Sequence, residues 1–354
     1  MRTLVIFALS LTVLLPSFGQ TAVSPGASLP KEPHEIFAAA APYYDFSSPD
    51  LKPWHMKVSY QFYDMKGKPA EQGTWEYWWV SPKVSRSSLT RSGAEHTTWS
   101  SADGARYRKD SGGPLRFFER TIEATLLFPL PRPKVLESGK TKLELKMVPE
   151  DKPVVACVLT RPQQLVNGNL QVSNGVPDHY CFDPATLVLR ESYSNQLTTQ
   201  YSQIVKVQGR YLAQQVVVTE DKRKLFTASV EAVDSLNAAD AALAPPADAV
   251  LEKAAKSLQE DRDGGVTAGA LVKKIPPIYP ATSKMAHEQG TVVIAATIGT
   301  DGKIHDLEVV VAPSALLAEA AADAVKHWEY KPYLLNGVPV EVETLVNVMF
   351  VMGR

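Results

Sequence analysis

The chain has 354 residues, 45% of them hydrophobic and 21% charged, with a formal net charge of −1 at pH 7. That length and apolar fraction suffice for at least two cores. A charge so close to zero speaks against the broad basic face on which nucleic-acid binding depends, so no nucleic acid is expected as a partner.

At the N-terminus, Arg2, an apolar run from Leu4 to Leu15, Pro16, and the small residues Ser17 and Gly19 form the pattern of a secretory signal peptide over residues 1–19, with cleavage before Gln20. The alternative is a retained anchor, yet about twelve apolar residues fall short of the roughly twenty that span a bilayer. The chain is therefore expected to be exported, and membrane-associated only if the segment is retained. Residues 20–53 mix Pro, Ser, Ala and Gly and read as a loosely ordered lead-in with a short helix at His34 to Ala41.

From Trp54 the period changes to two. Met56, Val58, Tyr60 and Phe62 alternate with His55, Lys57, Ser59 and Gln61, which predicts a half-buried strand. Thr74 to Val80 returns after a turn, and a further hairpin brackets Ala102 to Gly104. Pro129, Pro131 and Pro133 then place an exposed loop between strands. Strand signals resume at Lys142 to Val148, Val154 to Leu159, Tyr180 to Phe182, Thr186 to Tyr193, Thr198 to Val207, Tyr211 to Glu220 and Leu225 to Val233. Roughly ten strands without a long helix predict a curved antiparallel sheet or open barrel over residues 54–236. Residues 237–270 follow as a linker, with Asp248 to Gln259 able to form a surface helix.

Five of the six tryptophans, Trp54, Trp75, Trp78, Trp79 and Trp99, crowd into the first strands. Alternation places Trp75, Tyr77 and Trp79 on one face and Trp78 on the other, so these four are candidate walls of a cavity for an acyl chain or other hydrophobic ligand. Burial under a loop accounts for them equally well. Cys157 and Cys181 are the two cysteines of the chain. In an exported protein they predict one disulfide, which would contribute about 3 kcal/mol by restricting the unfolded chain. Asp178, His179 and Cys181 offer too few ligands for a metal site, and none is expected.

The search for chemistry yields little. Gly139, Lys140 and Thr141 end like a phosphate loop, but Lys134 stands where its opening glycine belongs. No serine elbow or metalloprotease helix occurs. The expectation is a non-enzymatic protein with no catalytic residues and no cofactor. Glu341 and Glu343 are expected to form a solvated edge that discourages sheet aggregation.

The C-terminal stretch, residues 271–354, has the densest local signals. Thr291 to Ile298 and Lys303 to Val311 form a hairpin about Gly299 to Gly302. Ser314 offers an N-cap to a helix carrying Leu316, Ala320, Ala324 and Trp328 at four-residue spacing. Val338 to Val351 then forms a last strand, in which Val340, Val342 and Thr344 alternate with Glu341, Glu343 and Leu345. Tyr279 and Pro280 before a short helix, Gly290 to Val292 opening a strand, Asp301 and Gly302 in the turn, the segment from His327 to Pro332, and Phe350 in the final strand together resemble the C-terminal domain of the TonB energy-transducer family.

That resemblance implies a periplasmic domain that pairs a strand edge with a short extended segment of an outer-membrane TonB-dependent receptor or another envelope protein. The residues it marks for partner binding are Val338, Val340, Val342, Thr344, Val346, Tyr279 and Pro280. A homodimer through the same edge is the other occupant to consider. A fainter resemblance, carried by the Met56 to Phe62 strand, the aromatic return strand and Tyr180 to Arg190, links residues 54–233 to periplasmic lipoprotein-carrier (LolA-like) folds, which hold acyl chains inside a curved sheet. The expected fold class is α+β: a large antiparallel β-rich domain joined by a linker to a small TonB-like α+β domain. Two functions stand side by side, an adaptor in envelope transport acting by strand addition and a carrier of lipid or another hydrophobic ligand.

Overall fold

The computed structural model describes residues 29–131, 136, 141–149, 154–166, 169–172, 176–237, 243–251, 256–257, 266–267, 270–335 and 337–352. The expected signal peptide, the loop proline Pro133 and much of the expected linker lie outside the described residues. No described helix is long and apolar enough to cross a membrane.

Alternating burial builds the N-terminal unit. In chain order its strands are β1 (Trp54–Tyr63), β2 (Pro69–Ser81), β3 (Val84–Arg91), β4 (Ala94–Ser100), β5 (Arg106–Ser111), β6 (Thr141–Val148), β7 (Val155–Val166), β8 (Asn169–Val172), β9 (Asp178–Phe182), β10 (Leu189–Ser194), β11 (Leu197–Val207), β12 (Arg210–Glu220), β13 (Arg223–Ser235) and β14 (Val250–Leu251). They form one antiparallel sheet in the order β14-β5-β4-β3-β2-β1-β13-β12-β11-β10-β9-β7-β6, with β8 paired to β7. The sheet is open, because β14 and β6 end the path without meeting. In β1, Trp54, Met56, Val58, Tyr60 and Phe62 are buried on the inner face, as the period-two pattern requires.

Three local readings change. Val84–Arg91 is a strand that its serines and arginines concealed; it is pinned by pairing to β2 and β4 on both sides. The sheet also has helices on its inner face. Helix α1 (Pro33–Ala40) buries Ile36, Phe37 and Ala40, and Phe37 meets Tyr180 and Phe182 edge-on at 5.4 and 5.9 Å. Tyr44, Phe46 and Leu51 join the same core, so the segment from Leu29 to Pro53 packs into the domain where a loose lead-in is expected. Helix α2 (Phe117–Leu127) buries Glu119, Ile122, Leu126 and Leu127 at helical spacing, and Phe118 stacks on Phe226 at 5.2 Å. Finally, Val250–Leu251 extends along β5, within the stretch where a surface helix is expected.

The C-terminal unit comprises β15 (Lys256–Ser257), β16 (Val266–Thr267), β17 (Leu271–Lys273), α3 (Ala281–Met285), β18 (Gly290–Ile298), β19 (Ile304–Val311), α4 (Ala315–Val325), β20 (Glu329–Tyr330), β21 (Tyr333–Leu335), β22 (Val338–Val340) and β23 (Val342–Phe350). Its main sheet runs β15-β23-β18-β19. Helix α4 starts where Ser314 Oγ accepts the Leu317 N–H at 3.3 Å, and it packs Leu317, Ala321 and Val325 onto Val292, Ile294 and Ala296 of β18. The opposite face of β18 is buried too, since Val293, with Val311, belongs to the N-terminal core. Two-sided burial explains why Thr291 to Ile298 reads as an almost unbroken apolar run.

Candidate functional site

The expected last strand breaks at Glu341. Val338 and Val340 belong to β22, which forms a hairpin with β21 about Gly337, whereas Val342, Thr344 and Val346 belong to β23. The seven residues expected to bind a partner therefore do not share one edge. Val338–Val340 turns back on Tyr333–Leu335, and only β23 lies at the side of the main sheet.

Along its inner side β23 pairs antiparallel with β18, from Ile298 opposite Val342 to Gly290 opposite Phe350. On its outer side Lys256 and Ser257 pair in parallel with Val342 and Glu343. From Thr344 to Phe350 the outer side has no strand partner among the described residues. Val342, Val346, Val348 and Phe350 turn their side chains into the core and are 0 to 8% exposed. They cannot grip a partner directly, so what this edge offers is backbone N–H and C=O groups. Asn347 and Met349 point the other way and are exposed.

Tyr279 and Pro280 close one end of this edge. The Tyr279 ring meets Phe350 edge-on at 5.2 Å, and its hydroxyl donates to the Glu288 carbonyl. Pro280, extended at φ −62°, is the N-cap of α3. Tyr279 thus holds the last residue of β23 in place, while Pro280 sets the start of α3.

The other end of β23 is tied to the N-terminal unit by charges that sequence reasoning missed. Arg120 on α2 donates through Nε to Glu343 Oε1 at 2.5 Å and approaches Glu308 Oε2 at 3.4 Å, while its Nη1 donates to the Leu115 carbonyl. The Phe117 N–H also donates to Glu308 Oε2, at 2.7 Å. Burial pushes the Glu308 carboxyl up, against the pull of Arg120, the Phe117 N–H and Arg116. Glu343 is thus an interface residue, and the expected solvated pair with Glu341 does not form; Glu341 sits before β23 with its Oε2 3.9 Å from His305.

The expected cavity wall is differently placed. Trp75, Tyr77 and Trp79 are 0 to 6% exposed, and Trp54 stacks on Trp79 at 6.3 Å while Phe46 meets Trp54 edge-on. Trp75 Nε1 donates to Ser87 Oγ at 2.8 Å. These rings are packed against the chain's own side chains. Trp78 faces outward, as alternation predicts, and lies between His55, stacked at 4.7 Å, and the Arg86 guanidinium, 4.3 Å above its ring.

Beneath the inner face, Glu119 is 2% exposed and gathers three donors: Tyr60 Oη at 2.6 Å, Arg91 Nε at 2.8 Å and the Arg116 N–H at 2.8 Å. Burial alone would raise its carboxyl, but Arg91, Tyr60 and the Arg116 N–H together hold it below the ordinary glutamate value. Cys157 and Cys181, directly opposite each other on β7 and β9, are joined by a disulfide.

Comparison with known proteins gives one family and several distant folds. Residues 275–352 match the family described as Gram-negative bacterial TonB protein C-terminal. An outer membrane lipoprotein-sorting protein domain from Vibrio parahaemolyticus is 9% identical, with 59% of this chain and 94% of that chain covered and a TM-score of 0.37. A DUF1329 family protein from Desulfovibrio piger is 10% identical, with 57% and 91% covered and a TM-score of 0.35. A LolA superfamily protein from Nitrosomonas europaea is 7% identical, with 62% and 99% covered and a TM-score of 0.37. No curated protein matches the chain.

Proposed function

We propose that the chain is a non-enzymatic periplasmic adaptor in envelope transport, which takes an extended segment of an outer-membrane receptor or another envelope protein by strand addition along Thr344 to Phe350. The observation that carries this reading is the outer side of β23. Val346, Val348 and Phe350 turn their side chains into the core, α4 covers one face of the sheet, and the N-terminal unit meets the other, while seven consecutive residues present backbone without a strand partner among the described residues. An added strand would form roughly one backbone hydrogen bond per residue, each worth about 1 kcal/mol net. The TonB C-terminal match supports the same edge. A second copy of the chain is the competing occupant. The carrier reading would require α1 and α2, which fill the inner face of the large sheet, to leave it.

Proline at two neighbouring positions tests the edge. Successive residues of a strand send their N–H groups to opposite sides, so of Asn347→Pro and Val348→Pro one removes an outward donor and the other a donor to β18. The outward variant should keep its thermal midpoint yet lose about tenfold in recovery of an outer-membrane receptor from envelope extracts, about 1.4 kcal/mol. Equal recovery by a folded outward variant and wild type would remove β23 from the reading.

A further inference from the structure

The outer face of the large sheet carries a separate group of side chains of metal-ligating type around the disulfide. Cys157 on β7, Cys181 on β9 and Glu191 on β10 stand in one row across three strands, because Cys157 is opposite Cys181 and Cys181 opposite Glu191. His179 lies two residues before Cys181 on the same face. The donor atoms of His179, Cys181 and Glu191 are all within 4.8 Å of one another, and His179 Nε2 is 3.6 Å from Glu191 Oε1. A tetrahedral zinc ion, with bonds of about 2.0–2.3 Å, needs its ligands roughly 3.3–3.8 Å apart, so small side-chain movements suffice.

The supporting contacts favour the same geometry. The imidazole of His179 is stacked on Tyr193 at 5.2 Å and 8°, which fixes its plane. Gln200 Nε2 donates to Glu191 Oε2 at 3.4 Å, leaving Oε1 turned to the histidine. With the disulfide closed, the Cys181 sulfur is a poor ligand, and the cluster lacks its thiolate. A groove of about 250 Å³ lies beside the disulfide, lined by Val155, Cys181, Glu191, Gln200 and others.

We propose that reduction of the Cys157–Cys181 disulfide opens a zinc site made by Cys181, His179 and Glu191, with Cys157 as the fourth ligand. The reductant is a dithiol. Its two thiolates attack in succession, the protein S–S bond breaks, both cysteines leave as thiolates, and the dithiol becomes its own disulfide. Zinc then holds the two protein thiolates in the deprotonated form. The site uses none of the residues of the β23 edge, and it stands whether or not strand addition occurs.

Cobalt(II) is the probe, because thiolate ligation gives a near-ultraviolet charge-transfer band. The full chain is reduced with dithiothreitol, freed of it by anaerobic gel filtration, and titrated with cobalt and then zinc. One equivalent of cobalt should produce the band, zinc should displace it, and the oxidised chain should show none. Cys157→Ser should show the band without any reductant, with weaker binding. His179→Ala and Glu191→Gln, in reduced chain, should each weaken cobalt binding at least tenfold. Absence of the band in both reduced wild type and Cys157→Ser would overturn the proposal. So would a band unchanged by the His179 and Glu191 variants, which would mean sulfur ligation alone. A reduced chain that unfolds and is not refolded by zinc would overturn it equally.

Discussion

Replacing Glu119 by alanine tests the account of the N-terminal core. The side chain of Glu119 is 1% exposed and that of Arg91 is 16% exposed, so their 2.8 Å contact is largely shielded from water. Alanine leaves the guanidinium, the Tyr60 hydroxyl and the Arg116 N–H without this acceptor, although Arg91 keeps Glu71 at 2.7 Å. Breaking a buried ion pair from one side costs about 3–5 kcal/mol, and the remaining partner and partial exposure of Arg91 argue for the lower end, about 3 kcal/mol. Glu119→Gln keeps an acceptor and the shape, and should cost about half as much. Urea unfolding followed by tryptophan fluorescence reads the change, since Trp54, Trp75 and Trp79 share this core. Arg91→Met in the Glu119→Ala background should cost less than the two single changes together. A loss below about 1 kcal/mol for Glu119→Ala, or strict additivity with Arg91→Met, would refute the network as a source of stability.

The remaining predictions concern pH, backbone and interface. The Glu119 carboxyl is held low in the folded chain, so its contribution is present above the ordinary glutamate value and is lost as pH falls through the folded one; the stability gap between wild type and Glu119→Gln should shrink in acid, and a constant gap would contradict this. Gly302 has φ +80°, and an added Cβ would come within 2.0 Å of the Tyr330 carbonyl oxygen, so Gly302→Ala should destabilise the C-terminal unit by about 2 kcal/mol or more in thermal melts. Arg120→Ala removes the donor shared by Glu343 and Glu308; faster amide exchange in β19 and in the first residues of β23, without change in β1 and β2, is the expected signature.

Much of this molecule could be read directly from its residues. The alternation of Met56 to Phe62 placed β1, and the turns between Thr198 and Val233 placed the β11-β12-β13 meander with ends shifted by only a residue or two. Ser314 and the four-residue spacing of Leu316, Ala320 and Ala324 placed α4, although its buried face is formed by Leu317, Ala321, Ala324 and Val325, with Leu316 exposed. Other features depended on partners distant in sequence. Val84–Arg91 becomes a strand because β2 and β4 flank it, which a serine-rich octet does not announce. Helix α2 is only eleven residues long and carries a buried glutamate, Glu119, whose partners lie 28 and 59 positions away. Glu343 looks like an edge charge until Arg120, 223 residues earlier, is brought to it. At the candidate edge, the family pattern located the strand, but the break at Glu341 depends on the β21-β22 hairpin, and that hairpin removes Val338 and Val340 from it. The Trp-rich stretch marked the core correctly as apolar, while α1 and α2, which fill the space beside it, carried weaker signals.

The most direct measurement of strand addition is photo-crosslinking in the source organism from a photoreactive residue at Met349, followed by mass spectrometry of the cross-linked peptides. Met349 is 68% exposed and sits in the part of β23 whose outer side has no strand partner among the described residues, whereas a probe at the fully buried Val342 would report on the core. The account predicts capture of an outer-membrane receptor through a short extended segment, and loss of that product in the outward proline variant. Capture only of a second copy of this chain, or of nothing, would contradict it.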